Sequence, residues 1–151
     1  MTAQDTPAEI ACPHCLAVNR VPESRLADGP RCGRCSKPLF AGEPMTLRSE
    51  DFERLIAHTA VPVLLDCWAP WCAPCRQFAP VFADAARRLE PGLRLAKLDT
   101  EAQPALAQRL GIRSIPTLIL FRDGHELTRM SGAMAMPQLL QWLHQSLHGN
   151  D

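Results

Sequence analysis

Cys72 and Cys75 stand three residues apart in the run Trp-Cys-Ala-Pro-Cys, Trp71 to Cys75. In a first helical turn that spacing brings two sulfurs within disulfide reach. The unpaired N–H groups and the dipole of a helix start favour a thiolate at Cys72. Pro74 suits such a place, because the first turn can spare an N–H. The chemistry this permits is thiol–disulfide exchange, with Cys72 as the exposed nucleophile and Cys75 as the less accessible resolving thiol. A metal half-site or two incidental core cysteines would show the same spacing, so the surroundings must decide.

Asp66 is the first of those surroundings. It interrupts the otherwise apolar run Val61–Trp68, six residues before Cys72. A carboxylate buried there without a full partner would hold its proton near neutral pH and could take the proton from Cys75. Lys97, expected on the neighbouring strand, could tune it through its charge; a structural salt bridge between the two is the plainer alternative. Cys67, next to Asp66, points to the opposite face by strand alternation and reads as an inert core thiol.

Four more cysteines form a second constellation: Cys12-Pro-His-Cys15, sixteen residues, then Cys32-Gly-Arg-Cys35. Two such knuckles can place four thiolates at the corners of a tetrahedron, a geometry and ligand set that suit one structural zinc ion. Gly33 is expected to permit the second turn, and backbone N–H groups to soften the charge of the site. Four cysteines fill the coordination shell, so His14 is expected to face solvent. Two redox pairs or an iron–sulfur centre would use the same thiolates.

The elements that must position these groups fall into two regions. Residues 1–40 contain scattered apolar residues (Ile10, Leu16, Val18, Val21, Leu26, Leu39, Phe40) too few for a core of their own, and a metal would explain how such a segment folds. Residues 41–151 change grammar, with the divide at Ala41-Gly-Glu-Pro44. Met45–Leu47 reads as a short strand. Ser49 is expected to cap a helix carrying Phe52, Leu55 and Ile56. Val61–Trp68 reads as a buried central strand. Phe78, Val81, Phe82, Ala85 and Leu89 recur at helical spacing, with a bend expected at Pro80 and an end at Pro91-Gly92. Leu93–Leu98 follows as a strand, then Ala105–Leu110 as a helix ended by Gly111. Thr117–Phe121, Asp123-Gly124 and Glu126–Met130 form a hairpin. Met136, Leu139, Leu140, Leu143 and Leu147 stripe a last helix. The order β-α-β-α-β-α-β-β-α calls for an α/β fold, a central mixed sheet flanked by helices.

Composition narrows the function. With 151 residues, 46% hydrophobic and 21% charged, the chain is globular in character. Sixteen basic residues balance sixteen acidic ones, which removes the usual case for nucleic acid as a partner. No run approaches the length of a membrane span, and the amino terminus lacks the basic start and apolar centre of a secretory signal. A cytoplasmic location is therefore expected, and seven cysteines there call for catalysis or metal rather than structural disulfides. No phosphate-binding glycine loop is visible, so no directly bound organic cofactor is expected.

Residues 45–148 resemble the thioredoxin family throughout: the run Asp66–Cys75, the strand end Lys97-Leu98-Asp99, the segment Gly111–Phe121, the Asp123-Gly124 turn and Ser131-Gly132-Ala133. The resemblance implies the thioredoxin fold and a cis peptide bond between Ile115 and Pro116 opposite the dithiol. It further implies that Trp71, Ile115, Pro116, Gly132 and Ala133 rim a substrate-binding surface, with Trp68 packed beneath the active loop. Ala73 departs from the family, which usually has glycine there, and Cys67 replaces a bulky apolar residue. With its four-cysteine module the chain is similar to the zinc-containing thioredoxin 2 type of bacteria. That likeness implies a protein-disulfide reductase recharged by an NADPH-dependent thioredoxin reductase, carrying a small amino-terminal zinc-ribbon-like module with zinc on Cys12, Cys15, Cys32 and Cys35. An oxidant or isomerase is the nearest alternative; a protein-binding adaptor on a thioredoxin scaffold is a more distant one. No interface signal stands out, so a monomer is expected.

Overall fold

The computed structural model describes residues 5–149. An antiparallel hairpin comes first, β1 (Pro7–Ala11) with β2 (Val18–Pro22). The larger part then runs β3 (Met45–Thr46), α1 (Phe52–Ala57), β4 (Val63–Trp68), α2 (Ala73–Leu89), β5 (Arg94–Asp99), α3 (Pro104–Arg109), β6 (Thr117–Arg122), β7 (His125–Ser131) and α4 (Met136–His148). Its five strands lie in the order β3-β5-β4-β6-β7. The β3, β5 and β4 neighbours are parallel; β6 and β7 are antiparallel to the strands beside them. This is the mixed sheet with flanking helices that the element order demands.

The central strand β4 is buried along both faces because helices cover both. Val63, Leu65 and Cys67 face Phe52, Leu55, Ile56 and Leu106 on the side of α1 and α3. Leu64 faces Phe78, Phe82, Leu139 and Leu143 on the side of α2 and α4. The apolar stripe of α2 extends through Ala85 and Ala86, and the helix continues through Pro80 as one element. Asp123 (φ 55°) and Gly124 (φ 80°) turn the β6–β7 hairpin with two left-handed residues, the conformation a two-residue type I′ turn requires.

Ser49 does not cap a helix. It opens a 3-10 turn, Ser49–Asp51, and its N–H donates to Gln103 Oε1 at 2.8 Å. Asp51 precedes α1 without capping it, because its carboxylate is taken by Arg48, Nε to Oδ2 at 2.8 Å. The start of α1 instead rests on the burial of Phe52, Leu55 and Ile56.

The amino-terminal hairpin has a small core of Ala8, Ile10, Cys12, Val21, Cys32 and Leu39. It also lends Ala11 and Leu16 to the main core on the α1 side. Polar ties reinforce the contact: the Arg54 guanidinium donates to Leu16 O at 2.6 Å, and Ala60 N–H donates to Glu9 O at 2.8 Å. A segment poor in apolar residues thus completes its core by sharing one.

Candidate redox site and four-cysteine metal centre

Cys72 is the residue just before α2, in extended conformation (φ −85°, ψ 111°), and its Sγ accepts the Cys75 N–H at 3.2 Å. A sulfur that accepts a helix-start N–H is placed where its thiolate would be stabilised by that donor and by the helix dipole. Cys72 and Cys75 are joined as a disulfide, with Cα atoms 5.2 Å apart. Ala73 and Pro74 occupy the first two helical positions between them.

The expected exposure of Cys72 needs correction. The residue is only 5% exposed and Cys75 is 2% exposed. Ala69 packs against both, with Trp68 and Ile115 beside them, while Trp71 stands 66% exposed next to the pair. Access to the sulfur is therefore directional, past Trp71 and Ile115.

Asp66 lies at the middle of β4, 1% exposed, in register with Lys97 on β5 and Leu118 on β6. Its Oδ1 has no hydrogen-bond partner among the described residues. Burial raises its pKa from 3.8 to about 7, against a smaller lowering by the charge of Lys97. The plainer alternative of a salt bridge is not what the structure contains: Lys97 Nζ sits 4.5 Å from the Trp68 ring centroid, and no ion pair joins it to Asp66 among the described residues. Cys67 is fully buried on the other face, its pKa pushed up to about 12 chiefly by desolvation.

The Ile115–Pro116 peptide bond is cis. The Ile115 carbonyl oxygen lies 3.8 Å from Cys72 Sγ. Gly132, in the left-handed region at φ 103°, donates its N–H to Pro116 O at 2.8 Å, so the ends of β6 and β7 lie together. Gly132 and Ala133 are exposed there, and a groove of about 450 Å³ runs beside Trp71, Ile112 and Ile115. Thr100, which the sequence reading passed over, fixes the loop above: its N–H and Oγ1 both donate to Trp68 O, at 2.8 and 3.0 Å.

At the other site Cys12, Cys15, Cys32 and Cys35 bring their Sγ atoms within 4.8 Å of one another. Cys12 to Cys35 and Cys15 to Cys32 are each separated by 3.6 Å between sulfurs. Four sulfurs bound to zinc at about 2.3 Å in a tetrahedron would lie roughly 3.8 Å apart, so the cluster fits a single tetrahedral metal ion. The two knuckles have the same construction. In each, the first cysteine accepts from the residue four positions on, Leu16 N to Cys12 O and Ser36 N to Cys32 O, both at 2.9 Å. Those two residues, at φ 61° and 69°, make the left-handed turn.

Gly33 is therefore not the turning residue. Its N–H donates to Asn19 Oδ1 at 2.9 Å. The N–H groups of His14 and Arg34 point to Cys12 and Cys32 Sγ at 3.4 and 3.3 Å, as expected for donors that soften thiolate charge. Asn19 is a further outer residue, with Nδ2 3.5 Å from Cys32 Sγ and 3.1 Å from Ala17 O. No motif marks it; an asparagine lying between the two knuckles in the chain is the one signal the sequence offers. His14 is exposed.

Comparison with known proteins covers both regions. The thioredoxin family model matches residues 43–145, and the model described as Thioredoxin 2, N-terminal, matches residues 11–37. Thioredoxin C-3 of Corynebacterium nephridii is 46% identical over 138 residues, 91% of this chain and 94% of that protein. Thioredoxin 1 of Synechococcus elongatus is 38% identical over 96 residues, 64% of this chain and 90% of the relative. Thioredoxin M-type, chloroplastic, of Chlamydomonas reinhardtii is 33% identical over 131 residues, 85% and 94% respectively. A dithiol at a helix start, a mixed sheet behind it and matches of this extent have one reading: the chain belongs to the thioredoxin family, as a thiol–disulfide oxidoreductase with an amino-terminal four-cysteine zinc-ribbon-like module.

Proposed function

We propose that the chain reduces disulfides of other proteins. The observation that carries this reading is the Cys72–Cys75 pair at the start of α2 together with a buried Asp66 whose Oδ1 has no hydrogen-bond partner among the described residues. In the reduced form the Cys72 thiolate attacks one sulfur of a substrate disulfide, forming a mixed disulfide and expelling the other substrate sulfur as a thiolate. Asp66 takes the Cys75 proton, and Cys75 attacks Cys72 Sγ. The second substrate sulfur leaves, and two electrons have passed from the dithiol to the substrate. Lys97 holds the pKa of Asp66 down through its charge, against the larger raising by burial.

Trp71, Ile115, Pro116, Gly132 and Ala133 form the substrate rim in this reading, with an extended peptide pairing to the Ile115 backbone. Trp68 and Ala73 shape the loop beneath. The dithiol is restored by an NADPH-dependent thioredoxin reductase, and the chain acts as a cytoplasmic monomer. No helix among the described residues is long and apolar enough to cross a membrane. Residues 1–40 act as a structural module and residues 41–151 as the oxidoreductase domain. Zinc is the metal held by Cys12, Cys15, Cys32 and Cys35, where it would cross-link the two knuckles without entering the exchange chemistry.

The test is the redox potential of the Cys72–Cys75 pair in zinc-loaded protein, equilibrated against defined dithiothreitol or glutathione ratios. A potential near about −270 mV, the figure general to thioredoxin, supports a reductase. A potential between about −180 and −120 mV would make the protein an isomerase or oxidant.

A further inference from the structure

Among the described residues Arg94 is the largest side chain buried to less than 2% exposure. It opens β5, in the midst of an apolar core, and pairs with Glu90, Nη1 to Oε2 at 3.4 Å, both side chains 1% exposed. The pair does not serve only itself. Arg94 Nη2 donates to Leu39 O, and its guanidinium lies 4.3 Å from the Phe40 ring centroid. Glu90 accepts the Gly42 N–H at 3.2 Å and the Leu95 N–H at 3.1 Å. Among the described residues, the hydrogen bonds and the ring contact that the pair sends into the amino-terminal region fall on residues 39–42, the segment that leaves the second knuckle.

This segment is tied to the metal centre from its other side. Leu39 shares a core with Cys12 and Cys32, and its N–H donates to Pro30 O at 3.0 Å. Arg94 lies within electrostatic range of Cys12. Its Nε–H is buried with no acceptor among the described residues. A centre of four thiolates and one divalent ion has two negative charges in excess, and the Arg94 guanidinium, although paired with Glu90, interacts favourably with that charge at Cys12.

We propose that the Glu90–Arg94 pair is the joint between the metal centre and the oxidoreductase domain, holding residues 39–42 in place and steadying the four-thiolate cluster from outside its coordination shell. The inference rests on Cys12, Cys15, Cys32 and Cys35 being a zinc site. Arg94 here is a positioning residue; it has no part in thiol–disulfide exchange. Coupling of this kind is reciprocal, so loss of the metal loosens the joint as loss of the joint loosens the metal.

The experiment follows zinc transfer from the full, zinc-loaded chain to a chromogenic chelator, for the parent, Arg94→Met and Arg94→Lys. Arg94→Met is expected to release zinc about tenfold faster or more, and Arg94→Lys at an intermediate rate. In parallel, amide hydrogen exchange is measured on the parent before and after zinc removal under reducing conditions. The Gly42 and Leu95 amides, both bound to Glu90, should exchange faster once zinc is gone, a result that stands even if Arg94→Met does not fold. Release at the parental rate from folded Arg94→Met overturns the proposal, and so does unchanged exchange at Gly42 and Leu95. A parent chain that takes up no zinc refutes the zinc reading instead. The joint is then judged by whether Arg94→Met speeds exchange at Gly42; parental exchange there refutes it too.

Discussion

Asp66 and Lys97 face each other in register across β4 and β5, yet the lysine turns its ammonium to the Trp68 ring and leaves Asp66 Oδ1 without a hydrogen-bond partner. That oxygen is thus left without a compensating contact among the described residues. Its acidity is set by burial, with Lys97 acting at a distance. The consequences can be read in both stability and rate.

Stability should fall as pH rises through the window from about 4 to about 7. The unfolded pKa is 3.8 and the folded one about 7, so the folded chain binds more protons in between and the unfolded state gains as they are lost. Asp66→Asn removes this dependence. Relative to the parent it should gain up to roughly 4 kcal/mol between pH 4 and pH 8, from about 1.4 kcal/mol per pKa unit. Denaturant unfolding of the oxidised proteins across that range is the measurement; parallel pH profiles for parent and variant would remove Asp66 as the titrating group.

In catalysis the same substitution should slow the second step and spare the first. With no base for the Cys75 proton, the mixed disulfide on Cys72 should persist, and disulfide reduction at pH 7 should drop about 10²-fold or more. Trapping the mixed disulfide by acid quench and mass spectrometry measures its lifetime. An Asp66→Asn chain that resolves it at the parental rate would leave Asp66 with a structural role only.

Cys67 should behave as part of the core. It is fully buried and its thiol is pushed up to about 12. In the reduced, folded protein at pH 8, iodoacetamide should label Cys72 and leave Cys67 unmodified until denaturant is added. Peptide mapping decides this, and early labelling of Cys67 would show that the strand opens.

Much of this was legible beforehand for a physical reason: chemistry-bearing residues that break a local pattern stand out. Asp66 interrupts an apolar strand, and two CxxC runs stand in a region too poor in apolar residues to fold by packing alone. Arg94 escaped notice because Leu-Arg-Leu looks like ordinary strand alternation with the charge in water. Only tertiary packing, with the amino-terminal module laid over that face, buries it. Ser49 misled for the converse reason. It has the chemistry of a cap, but Gln103 takes its N–H and the chain turns once more before α1 begins. The left-handed turns at Leu16 and Ser36 were equally hidden, since neither residue type advertises positive φ.

Asn19 supplies a prediction separate from the Arg94 joint. Its Nδ2 approaches Cys32 Sγ, while its Oδ1 holds the Gly33 N–H inside the second knuckle. Asn19→Ala removes both contacts and leaves all four thiols in place. Outer-shell losses of this kind cost about 10- to 100-fold in metal affinity. The zinc affinity of Asn19→Ala, by competition with a chelator of known strength, should fall by that order. Its dithiol potential should stay with the parent, since Asn19 touches neither Cys72 nor Cys75. Parental zinc affinity in the variant would mean that the backbone donors of His14 and Arg34 suffice to hold the centre, and that the side chain of Asn19 only shapes the loop.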